Sequence, residues 1–312
     1  MTGTIYGVDR VTSGATRFLV VIAAGLLAAG VARGESLDAA AIGKAAGAEA
    51  RTGPDGVVRV GWSRTDVAVT VDGARLDPAA GLGSWAAFKA ASSGAMVMGD
   101  TVVFEDEISP ALDAALASGL EVSAIHNHFV FDRPHVYFMH IGGHGEPNAL
   151  AAGVKSVWDA IRAVREKQPQ PGERFPGEPP APGSLNAEAL GDIMGHGAER
   201  QGAVVKVTIV REGKAHGLAI AGSMGLTTWT AFAGSDARAS VDGDFIMTAS
   251  EVQPVIRALR RSGIHVVALH NHMLDEEPRF FFLHYWGKGP ATELARGVRS
   301  ALDAQASEKN VH

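Results

Sequence analysis

Ser123-Ala124-Ile125-His126-Asn127-His128 and Val267-Ala268-Leu269-His270-Asn271-His272 are two copies of one stretch, 144 residues apart (269 − 125 = 144). Working outward, a gap-free match carries Trp85 to Ala160 onto Trp229 to Ala304, with about 29 of 76 positions identical. Self-similarity over that length marks a duplicated structural unit. It continues upstream, where Leu37 to Ala50 matches Leu185 to Ala198 after a small length change. Between the copies, Glu166 to Ser184 is rich in proline, glycine and charge (Gln168-Pro169-Gln170-Pro171, Gly177-Glu178-Pro179-Pro180), the composition of an extended linker. The expected organisation is residues 1–34 as a leader, 35–165 as a first repeat domain, 166–184 as linker and 185–312 as a second repeat domain.

Each copy reads as α+β, a mainly antiparallel sheet with flanking helices. A helical opening (Leu37 to Ala50; Leu185 to Gly195) precedes alternating strands such as Val57 to Val60 and Val204 to Val210. A helix follows from about Ser109 to Ser118 or Ser250 to Ser262, with Gly119 or Gly263 placed to end it. Next come the histidine strand (Val122 to Val130; Val266 to Leu274), a proline-containing turn and an aromatic strand (Val136 to Met139; Phe280 to Leu283). A helix from about Asn148 to Val164, or Ala291 to Ala306, closes the unit.

On a strand, His126 and His128 share one face and Asn127 takes the other. With the turn centred near Arg133, His126 sits directly across from His140; with the turn near Glu277, His270 sits across from His284. Three imidazoles at such spacing suit a divalent metal and leave a coordination position open. The candidate ligands are therefore His126, His128 and His140 in one copy, and His270, His272 and His284 in the other. His135 aligns with Arg279 and His144 with Lys288, so only His140 has a histidine counterpart. The plainer alternative is six buried histidines satisfied by core hydrogen bonds.

Glu107 and Glu251 fall at helix starts, as a fourth ligand, a general base or simply a favourable charge at the helix N-terminus. Asp100 and Asp244 follow glycine in an expected turn, where aspartate caps its own backbone. Trp85 and Trp229 read as core anchors, and His196 and His216 have no histidine partner across the repeat.

Arg10 and Arg17 precede an apolar run from Phe18 to Ala32, followed by Ala32-Arg33-Gly34, the pattern of a signal peptide cleaved before Glu35. The run is short of the ~20 residues that span a bilayer, so a membrane anchor is the lesser reading, and no membrane span is expected after cleavage. A periplasmic or secreted protein follows. The absence of cysteine excludes disulfides, thiolate metal sites and a lipidated cysteine. A formal net charge of −6 without a basic run argues against nucleic acid as a partner. The sequence assigns no oligomeric state.

The segments Ser123 to His128 with Met139-His140-Ile141-Gly142-Gly143-His144-Gly145, and Ala268 to Leu274 with Glu277-Pro278-Arg279-Phe280, resemble the LppY/LpqO-type family of exported bacterial proteins with a tandem domain of unknown function. The resemblance covers nearly the whole mature chain and implies export and duplication but no activity. The named members are lipoproteins, and this chain has no cysteine to lipidate. At the level of the site alone, His126-Asn127-His128 followed by Gly142-Gly143-His144 is similar to acetolactate decarboxylase-like proteins, whose zinc is held by His-x-His and a later Gly-Gly-His. Here the spacing is longer, and the second copy lacks that last histidine.

The functional expectation is an exported divalent-metal-binding protein with one site per repeat. Zinc comes first, with manganese, iron, nickel or copper as alternatives. Such a site could serve a metal-dependent hydrolase or lyase acting on a small-molecule or cell-envelope ligand, with Glu107 and Glu251 as bases. The alternative is a non-catalytic periplasmic protein that binds metal or envelope glycan.

Overall fold

The computed structural model describes residues 36–308; the signal-peptide expectation lies outside them. The first repeat runs α1 (Ala39–Ala46), β1 (Ala50–Thr52), β2 (Val58–Ser63), β3 (Thr70–Val71), β4 (Ala74–Arg75), β5 (Gly83–Ala90), β6 (Ala95–Phe104), α2 (Ile108–Ala117), β7 (Glu121–Asn127), β8 (Asp132–Arg133), β9 (Val136–Gly145) and α3 (Pro147–Lys167). The second runs in the same order. Its elements are α4 (Ala187–Met194), β10 (Ala198–Gln201), β11 (Val204–Val210), β12 (Gly213–Ala215), β13 (Leu218–Ile220), β14 (Thr227–Gly234), β15 (Ala239–Met247), α5 (Ala249–Arg261), β16 (His265–His270), β17 (Glu276–Glu277), β18 (Phe281–Gly289) and α6 (Ala291–Glu308). The α+β reading and the tandem duplication hold.

Local chemistry sets the helix ends. Asp38 and Asn186 cap α1 and α4 by accepting the Ala41 and Ala189 N–H groups, each at 3.1 Å. Gly47 and Gly195 end the same helices in the left-handed region (φ 62° and 69°), where glycine pays no Cβ penalty.

One twelve-stranded sheet passes through both repeats in the order β1-β2-β5-β6-β9-β7-β16-β18-β15-β14-β11-β10. At its centre β7 pairs antiparallel with β16, Leu269 opposite Ile125. Those two residues are repeat equivalents, so a pseudo-twofold axis crosses the sheet between them. All six helices lie on one face, over a single apolar core that includes Ile108, Leu112, Ile125, Val154, Trp158, Val255, Leu269 and Val298. Burial of that much apolar surface is the main force holding the repeats together.

The seam adds polar ties. The Gln253 amide spans both backbone groups of Val122 (2.8 and 3.2 Å), and Arg257 donates to the Leu116 carbonyl at the end of α2 (2.7 Å). Arg260 forks onto Asp113 at 2.8 and 2.9 Å, and Ser109 meets His265 Nδ1 at 2.7 Å. Residues between α3 and α4 form neither helix nor strand and lie against the body. Phe175 stacks on His265 with ring centroids 3.9 Å apart, and Lys288 donates to the Phe175 and Gly177 carbonyls.

Among the described residues the opposite face is uncovered at the centre and flanked by two small sheets, β4-β3-β8 and β13-β12-β17. Each closes a satellite apolar cluster, one with Val102, Phe104, Val136 and Phe138, the other with Leu226, Ile246, Phe280 and Phe282.

The hairpin register differs from expectation. His126 lies opposite Phe138, and His140 lies opposite Ala124. Likewise His270 faces Phe282, and His284 faces Ala268. The pairing is centred on Asp132 and Glu276, one residue earlier than expected, because β8 and β17 leave the hairpin to pair with β3 and β12. A one-residue shift of the centre moves the register by two, which preserves the face. The histidine strands also end sooner, at Asn127 and His270, so His128 and His272 stand in the turns beyond them.

Candidate functional site

The open face gathers a histidine–aspartate cluster from three strands per repeat and the turn beyond one of them. β6 supplies Asp100, directly opposite His140 on β9, and β7 supplies His126. His128 then folds back over Phe138, ring on ring, with centroids 3.3 Å apart and 9° between planes. The turn that presents it is fixed by Asn127 Nδ2 donating to the Phe129 carbonyl at 2.8 Å. The second repeat copies this arrangement. His272 stacks on Phe282 (3.4 Å, 8°), and Asn271 Nδ2 donates to the Met273 carbonyl at 2.9 Å.

His126 is the hub of the first set, with ring centroids 5.1 Å from His128 and 5.0 Å from His140. His270 plays that part in the second, 5.0 Å from both His272 and His284. Nε2 of His270 and Nε2 of His272 approach to 3.1 Å. The aspartates lie just outside: Asp100 Oδ1 is 3.8 Å from His140 Nε2, and Asp244 Oδ2 is 3.6 Å from His272 Nε2. His284 Nδ1 lies 3.2 Å from the Gly243 carbonyl. Among the described residues, no group of three or more histidine, cysteine, aspartate or glutamate side chains is disposed as it stands to hold a metal ion.

Electrostatics single out the same groups. Asp100 and Asp244 are 7% and 4% exposed, and one carboxylate oxygen of each is buried with no hydrogen-bond partner. His270 Nδ1 is likewise unpartnered. Unpaired buried polar atoms are costly and call for an explanation. Burial pushes the Asp244 carboxyl up to about 6, against the opposing pull of His284. Desolvation, then the neighbouring histidines, holds His270 and His272 below the ordinary imidazole value. His128 is lowered too, by desolvation and by His126 and His140 against the pull of Asp100. Those three rings are kept neutral, the form that ligates metals.

The glutamates belong elsewhere. Both oxygens of Glu107 are bound by Arg64, at 2.7 and 2.9 Å, Arg165 adds a contact at 2.8 Å, and the Phe104 N–H donates at 2.9 Å. Glu251 is held by Arg211 (2.5 and 2.9 Å) and the Thr248 N–H (2.7 Å). Against the upward push of burial, Arg211 keeps Glu251 below the usual carboxylate range, while burial dominates at Glu107 and raises it. Committed to arginine and backbone N–H donors, both glutamates serve as structural anchors, which corrects their expected role as bases. They brace the starts of α2 and α5.

Asp100 and Asp244 are not in turns but mid-strand. The preceding glycines serve close packing: a Cβ on Gly99 would stand 2.7 Å from the Trp85 carbonyl oxygen, and one on Gly243 would collide with the Trp229 carbonyl and the Tyr285 hydroxyl. Trp85 and Trp229 lie on the open face, covered by Arg59 (4.2 Å) and Lys206 (4.7 Å), rather than in the core. His135 stays on the flanking hairpin beside Asp132, His144 is exposed, and His216 pairs with Asp275 at 3.1 Å. Phe138 and Phe282 had no place in the sequence reading of the site. The available signal was the phenylalanine shared two residues before each third histidine.

Fold and site together define a tandem-repeat α+β protein that displays a duplicated histidine–aspartate cluster on the open face of one sheet. Residues 40–160 and 188–304 both match the family described as Domain of Unknown Function (DUF1259). The chain belongs to that family, with two tandem copies of its domain. No curated protein matches it. Among solved structures it is similar to a trimeric bacterial microcompartment shell protein, PduB, at 9% identity and TM-score 0.22, covering 83% of this chain and 92% of that one. EtuB from Clostridium kluyveri matches at 10% identity and TM-score 0.21, covering 83% and 91%. The fused permuted hexameric shell protein MSM0275 matches at 13% and 0.18, covering 71% and 89%. At TM-scores this low the likeness carries no argument.

Proposed function

We propose that this protein binds divalent metal ions through His126, His128 and His140 in one repeat and His270, His272 and His284 in the other. The observation that carries the reading is the ring spacing. Imidazoles radiating from one ion, with metal–nitrogen bonds of ~2.0–2.1 Å, place their centroids about 5 Å apart. Four ring pairs here stand at 5.0 or 5.1 Å. The 3.1 Å between the two Nε2 atoms of His270 and His272 suits two nitrogens sharing one ion at roughly 95°. Convergence of all three nitrogens requires turning the outer rings about their soft χ2 torsions on binding. The unpartnered oxygens of Asp100 and Asp244 then accept from ring N–H groups and hold the rings in place, or add a fourth ligand.

Zinc is the first choice for such nitrogen-rich sites, with manganese, iron, nickel and copper as alternatives. The exposed His128 and His272 favour binding over turnover, since no described residue excludes water there. A metal-dependent hydrolase or lyase acting on a small-molecule or cell-envelope ligand is the extension of this reading. Envelope-glycan binding is the second reading, favoured by Trp85 and Trp229 on the same face. We further assign the chain to the LppY/LpqO-type proteins and to the periplasm or the exterior, a reading supported by the arginines and apolar run near its N-terminus and by its motifs.

Metal content per chain, measured by mass spectrometry on protein purified without a histidine tag, tests the proposal. Two ions are expected, with one lost in His126→Ala/His128→Ala and the other in His270→Ala/His272→Ala. No bound metal, with both variants merely less stable, overturns it.

A further inference from the structure

We infer that the two histidine sets are halves of one composite face on which two bound ions feel each other, an inference that rests on the metal reading above. The central register brings the two sets side by side. With Leu269 opposite Ile125, antiparallel pairing sets His126 opposite Ala268 and His270 opposite Ala124. Ala124 is itself opposite His140, and Ala268 opposite His284. Across the four central strands the open face therefore reads His140–Ala124–His270 at one level and His126–Ala268–His284 at the next. A single alanine separates a histidine of one repeat from a histidine of the other, twice.

Strand spacing puts those histidines two strands apart, ~9–10 Å, and ions at the two sets on the order of 10 Å from each other. Alanine is the side chain that leaves the space between them clear, and it stands at both equivalent positions. The small sheets flank this central strip and do not cross it, since they pack over Val102, Phe104, Val136 and Phe138 on one side and Leu226, Ile246, Phe280 and Phe282 on the other.

Two dications ~10 Å apart repel enough to weaken the second binding step about tenfold at ~10 mM ionic strength, where the screening length is ~30 Å. At ~150 mM, with a screening length of ~8 Å, most of that penalty disappears. Independent sites tens of ångströms apart show neither effect.

The experiment is calorimetric titration of the tag-free chain with Cu²⁺ at low and physiological salt. It is run on the native protein, on His126→Ala/His128→Ala and on His270→Ala/His272→Ala. The expected result is that the product of the two native association constants falls about tenfold below the product of the two single-set constants, and that salt closes the gap. Paramagnetic resonance of the native protein carrying two Cu²⁺ supplies a readout that needs no variant. Dipolar broadening is expected with two ions and not with one. Two ions with sharp spectra and equal products overturn the composite face while leaving metal binding intact. No bound Cu²⁺ overturns both.

Discussion

Replacing Glu107 with glutamine removes one charge from a cluster in which Arg64 is fully buried and Arg165 is 7% exposed. Glutamine keeps the shape and one acceptor, but it leaves each guanidinium group with one carboxylate, Asp66 for Arg64 and Asp106 for Arg165. Weakening several buried charge-assisted contacts at once, at roughly 1 kcal/mol each, costs about 3–5 kcal/mol. The retained amide oxygen puts the expected loss near the lower end, about 3 kcal/mol. With an unfolding entropy of about 2.1 cal/mol/K per residue, each kcal/mol is worth a little under ~2 °C in a chain of this size, so the melting temperature should fall by about 5 °C. Glu251→Gln is the internal control: Arg211 is 17% exposed and can rehydrate, and the loss should be smaller, about 1–2 kcal/mol. Thermal melts followed by circular dichroism read the effect, and metal content of the folded variants should be unchanged. A Glu107→Gln protein that melts like the native one but loses metal binding or activity refutes the structural assignment.

His265 gives the fold an acid sensitivity. Burial, then Arg260, holds this imidazole down to about 4, against 6.5 for an ordinary histidine. Because the unfolded chain takes up the proton first, stability should be complete above pH 6.5 and fall as pH drops towards 4. The full shift would be worth about 3 kcal/mol, and partial exposure brings the expectation to about 1–2 kcal/mol. Urea unfolding of native protein and His265→Gln at pH 7.5 and 4.5 should show the variant losing that much less, and identical pH dependences sink the idea. Gly243→Ala should destabilise by about 1–3 kcal/mol, since the new methyl has nowhere to go between the Trp229 carbonyl and Tyr285. Gly197→Ala, with open space around it, should stay within about 0.5 kcal/mol in the same denaturation series, and equal costs at the two positions contradict the packing argument.

The duplication, the α+β class and the order of helices and strands were legible because a repeat doubles every periodic signal. The side of the sheet taken by His126, His140, His270 and His284 was legible too, since strand alternation survives a two-residue error in register. The register itself was not. It depends on β8 and β17 being drawn out of the hairpin by β3 and β12, pairings of two residues that leave no pattern in the chain. Glu107 and Glu251 looked like bases because sequence places a carboxylate without showing its partners, and Arg64 and Arg211 lie some forty residues away. Asp100 and Asp244 looked like turn residues because glycine precedes them; that glycine answers to a neighbouring strand. The joining of β7 to β16 was invisible, since a strand carries no mark of whether its second neighbour is its own copy.

That joining also settles what the sheet offers to other chains. In a solitary repeat, β7 would be a seven-residue open margin with a free row of N–H and C=O groups, a template for end-on strand addition. Fusion in tandem sets the two copies of this margin against one another, Leu269 opposite Ile125. The outer margins that remain, β1 and β10, are only three and four residues long and carry Arg51, Glu199 and Arg200. The linker thus does for one chain what homodimerisation would have to do for two, and among the described residues the twelve-stranded sheet keeps no long rim from which a fibre could grow.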